Sequence, residues 1–69
     1  MTISWADGFE IRVSADKGQA VISANQEGLL SLARQLTALA GEAAGSHIHY
    51  DEYNALEEGS AELTIEKLA

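Results

Sequence analysis

His47, His49 and Asp51 alternate with Ile48 and Tyr50 in the run HIHYD, which sets two imidazoles and a carboxylate along one side of an extended segment. Successive members stand about 6.6 Å apart at a rise of about 3.3 Å per residue. Imidazoles so placed can converge on zinc if other elements supply the remaining ligands, and Asp51, Glu62 or Glu66 are available for that. The same spacing equally suits surface histidines lying beside carboxylates. A small metal-binding or regulatory domain built on His47 and His49 is therefore an alternative reading, and no metal or cofactor is assigned.

The histidines run into a block of acids. No Lys or Arg occurs from Gln35 to Glu66, a span that contains Glu42, Asp51, Glu52, Glu57, Glu58, Glu62 and Glu66. Negative potential gathered on part of a small object selects cationic partners, although acidity also serves solubility. The segment from Asp51 to Gly59 mixes these acids with Tyr53 and Leu56, side chains that either anchor a partner or fold back on a sheet edge. In an interface a Tyr supplies contact, and carboxylates speed approach and set orientation. The partner-binding candidates are thus His47, His49, Asp51, Glu52, Tyr53, Glu57 and Glu58.

Composition narrows the alternatives. With 69 residues the chain is expected to form one domain (1–69), near the size at which a single core gives only marginal stability. The net charge of −7, with only four Lys and Arg, argues against nucleic acid and anionic membranes, which require phosphate-neutralising cations. Cysteine is absent, so no disulfide, thiolate metal site or Cys nucleophile is available. No apolar run suits a membrane span, and the N-terminus lacks a secretory pattern, so a cytoplasmic location is expected. No phosphate-cradling loop or nucleophile elbow appears. A thin domain also offers no deep cleft to desolvate its carboxylates, and no enzymatic activity is expected.

Phe9, Ile11, Val13 and Ala15 alternate with polar residues, the period of a strand buried on one face. Asp16-Lys17-Gly18 follows as a hairpin turn, with QAVISA (19–24) as the return strand. Thr2 to Trp5 is an optional extra strand, reversed at Asp7-Gly8. Asn25 caps a helix whose apolar stripe is Leu29, Leu32, Ala33, Leu36, Leu39, Ala40 and Ala43, ended by Gly41 or Gly45. Strands follow around Ile48–Tyr50 and Leu63–Ile65, separated by a loop from Glu52 to Ser60. The order β-β-α-β-β predicts an α+β fold, a small antiparallel sheet of four strands, or five with the N-terminal one, and a helix on one face. The other face would carry Glu10, Arg12, Ser14, His47, His49, Glu62, Thr64 and Glu66. With so little to bury alone, pairing of two copies through open sheet faces or edges is a further reading.

The segments VISANQEGLLSLARQLTALA and GSHIHYDEYNALEEGSAELTIEK together resemble the immunity protein 32 family of bacterial polymorphic toxin systems, over about Val21 to Lys67. The second segment is the more specific. Tyr50 and Thr64 stand where the family more often has aliphatic residues, a departure that leaves the strand pattern intact. The resemblance implies a single-domain α+β protein that binds and neutralises a cognate toxin encoded beside it. It also makes Gly45, Ser46, His47, His49, Asp51, Glu52, Gly59 and Ser60 interface candidates, the glycines and serines also being able to shape turns.

Overall fold

A computed structural model describes residues 1–69. Strand β1 (Ile11–Asp16) and strand β2 (Gln19–Ala24) form a hairpin, helix α1 spans Gln26–Ala40, and strands β3 (His47–Tyr50) and β4 (Leu63–Glu66) form a second antiparallel pair. The hairpin turns on two residues, Lys17 at φ 50° and Gly18 at φ 78°. Positive φ at both central positions matches the right-handed twist of the flanking strands. Asp7 and Gly8 do form a turn, but the N-terminal segment before them is not a strand.

The expected four-stranded sheet is divided into two sheets of two strands. What separates them is the segment from Glu57 to Ala61, which runs along the free edge of β1. Glu57 N–H donates to the Ile11 carbonyl at 2.9 Å and Ala61 N–H to the Val13 carbonyl at 2.8 Å. Val13 N–H in turn donates to Ser60 Oγ at 3.2 Å. Ser60 replaces a backbone acceptor with a hydroxyl, so the edge of β1 is satisfied without a regular ladder. The bridging segment thus lies on the edge of β1 opposite β2, and β3 pairs with β4 in a sheet of its own.

Asn25 joins β2 to α1 and holds three backbone groups. Its Oδ1 accepts from Gly28 N–H at 2.8 Å and Glu10 N–H at 2.9 Å, and its Nδ2 donates to the Gly8 carbonyl at 2.9 Å. The N-cap therefore also fixes the chain entering β1. At the other end, the last turn of α1 has no basic residue. Lys67, beyond β4, fills that role from a distance, its Nζ donating to the carbonyls of Ala40 (2.7 Å) and Glu42 (2.8 Å).

Of the stripe read from the sequence the helix buries only Leu32 and Leu39. Its buried residues are Gly28, Ser31, Leu32, Gln35 and Leu39, whereas Leu29, Leu36, Ala33 and Ala40 are exposed. At about 100° per residue, the buried face is rotated by about 80° from the Leu/Ala stripe. Two features hold that rotation. Gly28 lets the helix approach β1 so closely that any Cβ there would collide with the Glu10 carbonyl oxygen and press on Ala24 and Ile11. Ser31 and Gln35 are also bonded, Ser31 Oγ accepting from Ala6 N–H and Gln35 Nε2 donating to the Ser4 carbonyl. No buried side-chain polar atom lacks a partner, so the polar residues carry little burial penalty. The core beneath is Ile11, Val13, Leu32, Leu39, Ile48, Tyr50, Ala55 and Leu56.

Candidate functional site

Ile48 and Tyr50 point beneath the helix, so His47 and His49 face solvent. The register pairs His47 with Glu66 and His49 with Thr64, and directly paired residues share a face. The outer face therefore joins both histidines to Thr64, Glu66 and, two residues before Thr64, Glu62. All are exposed, as are Glu10, Arg12 and Ser14 on the hairpin.

The loop after β3 is a tight turn. The amides of Asn54, Ala55 and Leu56 all donate to the Asp51 carbonyl, while Asp51 Oδ1 accepts from Tyr53 N–H (2.9 Å) and Asn54 N–H (3.1 Å). Glu52 reaches across the loop, its Oε2 accepting from Gly59 N–H at 2.8 Å. Gly59 has φ 88°, a conformation open to glycine at little cost. Two of the candidate acids thus shape the loop as well as charge it. The turn separates the two apolar side chains: Leu56 is buried in the core, and Tyr53 stands 96% exposed. Glu58 is also exposed, and Glu57 is half-buried beside its backbone bond to β1.

No Lys or Arg lies within 4.0 Å of any carboxylate of the chain; the ion pairs are the N-terminus with Glu42 at 3.8 Å and His49 Nε2 with Asp51 Oδ2 at 3.5 Å. Lys67, the cation nearest in sequence to the block, has its ammonium turned to carbonyls at and just past the end of the helix. Apart from Glu42, the acids of this end are left without a Lys, Arg or terminal ammonium partner.

Metal geometry falls elsewhere than the sequence suggests. His49, Asp51 and Glu62 have donor atoms within 4.8 Å of one another, and His47 is not in that group. His49 Nδ1 lies 3.0 Å from Thr64 Oγ1, which orients the ring with Nε2 toward Asp51. Two exposed donors and the half-buried Asp51 would leave a further ligand to water.

One feature was invisible in the sequence. Met1, Ile3 and Trp5 wall a groove of about 370 Å³ along the edge of β3, whose other side is formed by His47, Ile48 and His49. Trp5 stacks on Phe9 (centroids 4.5 Å apart) and meets Tyr50 edge-on at 6.3 Å, so it lids the core at this groove. The bonds from Gln35 to the Ser4 carbonyl and from Ala6 N–H to Ser31 Oγ tie the segment here, contacts no local pattern announces.

The family model described as immunity protein 32 matches residues 19–68, from the first residue of β2 to just past β4. The chain belongs to the immunity protein 32 family. The match runs slightly beyond the segments that carry the resemblance at both ends, and it contains α1, both strands of the acidic end and the whole loop. No curated protein and no solved structure matches the chain. Membership in an immunity protein family points to neutralising a toxin by binding it, and such proteins are generally not enzymes. The walls of the groove contributed by Met1, Ile3 and Trp5 lie outside the matched residues.

Proposed function

We propose that this chain binds a cognate bacterial toxin in the cytoplasm of the producing cell and inactivates it by occlusion, using the outer face of β3–β4 and the loop from Asp51 to Ser60. The observation that carries this reading is the run of carboxylates without a neighbouring Lys or Arg. Uncompensated charge attracts an oppositely charged protein and orients it on approach. Tyr53, fully outside the fold, supplies an aromatic anchor in the middle of that charge. His47, His49, Asp51, Glu52, Glu57 and Glu58 surround it, and a basic toxin is the complementary partner. A basic nuclease is one such class, because a carboxylate array imitates a polyanionic substrate.

Co-expression with the product of the adjacent toxin gene tests the reading. Growth is expected to be restored and the two proteins to co-purify. A toxin that stays fully active with this chain in excess rules it out.

A further inference from the structure

The end of the molecule opposite the acids is apolar and open. Only 11 of 69 residues are buried, while Val21, Ile22, Leu29, Leu30 and Leu36 keep 40–55% of their surface exposed. Ile22 pairs with Val13, a core residue, so it lies on the helix-covered side of the hairpin. Leu29 and Leu36 lie on the flank of α1 away from Ser31 and Gln35, which bond the N-terminal segment. Exposed apolar side chains thus stand both on β2 and on the helix that follows it.

The edge is also chemically unprotected. From Gly18 to Gln26 the chain has no charged residue and no proline, whereas open edges are ordinarily blunted by Lys, Pro or a bulge. The two-residue turn closes on Asp16 and Gln19, so alternate residues of β2, Gln19, Val21 and Ser23, bond to β1. The bond from Asn25 N–H to the Glu10 carbonyl continues that alternation. Ala20 and Ile22 thus turn their backbone N–H and C=O groups outward, with no partner in the chain.

We infer that β2 pairs antiparallel with β2 of a second copy about a two-fold axis, joining the two hairpins into one four-stranded sheet and covering the exposed Ile22 of both copies. Antiparallel pairing of identical strands is two-fold symmetric by construction, which makes the interface isologous and closed. Centred on Ile22, the pairing keeps inward residues against inward residues, as the period of two requires. Charge favours this occupant over a basic partner, because the edge is neutral and the acidic ends lie on the far sides of the two copies. The edge is about 20 Å long at about 3.3 Å per residue, and the molecule is 19 Å thick. That face measures on the order of 400 Å² per copy, below the roughly 600–1,000 Å² that each partner of a stable complex buries. The dimer is accordingly weak and reversible, and each acidic end stays free for a toxin.

Sedimentation equilibrium of the untagged chain from about 10 μM to about 1 mM tests this, micromolar to millimolar association being the range such an area supports. The average mass is expected to rise from 7.3 kDa toward twice that value, and Ile22→Lys to remain monomeric throughout. Hydrogen exchange on the unmodified chain gives a second readout that does not depend on a variant folding. The Ala20 and Ile22 amides should exchange more slowly as concentration rises, while Val21 and Ser23 hardly change. A mass that stays at 7.3 kDa to 1 mM overturns the inference, and so does a dimer in which Ala20 and Ile22 exchange as fast as in the monomer.

Discussion

Tyr50 donates its hydroxyl to Gln35 Oε1 at 2.7 Å, a buried bond that ties β3 to α1. Gln35 passes the link on through Nε2 to the Ser4 carbonyl at 3.0 Å. Tyr50→Phe keeps the ring but leaves Gln35 Oε1 buried without a donor, and a loss of about 1–3 kcal/mol is expected. Burial also pushes the Tyr50 phenol above its ordinary 10.0. As pH rises past about 10, an unfolded Tyr releases its proton before the folded one does, so the unfolded state binds fewer protons and stability falls with pH. Urea midpoints between pH 8 and 11 should decline at the top of the range in the parent and less in Tyr50→Phe. Equal declines would remove Tyr50 as the cause.

Gly28 and Gly41 both belong to the helix region but should respond oppositely to alanine. At Gly28 a Cβ meets the Glu10 carbonyl oxygen, and Ala24 Cβ and Ile11 Cγ1 lie only 3.0 Å away. Overpacking against backbone outweighs the gain of about 1 kcal/mol in helix propensity, for a net loss of about 2 kcal/mol. At Gly41 the nearest atom is the Ala38 oxygen at 3.6 Å and φ is −87°. Gly41→Ala should be neutral or stabilising by up to about 1 kcal/mol. Thermal melts of the two variants compare them directly.

Lys67 caps a helix from 27 residues away in sequence. Lys67→Met preserves the aliphatic stem and removes the two donors, which should cost about 1–2 kcal/mol. A urea midpoint equal to the parent's would mean that water serves the Ala40 and Glu42 carbonyls as well as the ammonium does.

Glu52 and Glu58 separate loop architecture from partner contact. Glu58→Lys changes an exposed charge, so stability should move by less than about 0.5 kcal/mol while association with the toxin slows at low salt. The difference should shrink as salt screens it. Tyr53→Ala should raise the dissociation rate about tenfold or more, as loss of an aromatic anchor does. Glu52→Ala unpins Gly59 and should lower both stability and binding. Stopped-flow association at two salt concentrations, with melts of each variant, distinguishes these outcomes.

Local chemistry was legible without coordinates. Alternation located β1 and β2, Asn25 announced the helix start, Gly18 the turn, and the parity of HIHY sent the histidines outward with Ile48 and Tyr50 inward. Those signals depend on neighbours along the chain, and a strand's period of two leaves little choice once one face is buried. The family resemblance rested on the same contiguous segments.

What the chain alone could not reveal was which face of the helix goes down, where the sheet breaks, and what the N-terminal segment does. A stripe of Leu and Ala favours burial by composition, but the close approach allowed at Gly28 and the bonded pair Tyr50–Gln35 turn the helix about its axis and leave Leu29 and Leu36 outside. Ser60 and Glu57 interrupt the sheet through bonds to Val13 and Ile11, residues more than forty positions away. Turn and strand signals act over a few residues, whereas helix rotation and edge coverage depend on which distant groups satisfy one another, and that is settled when the whole chain packs.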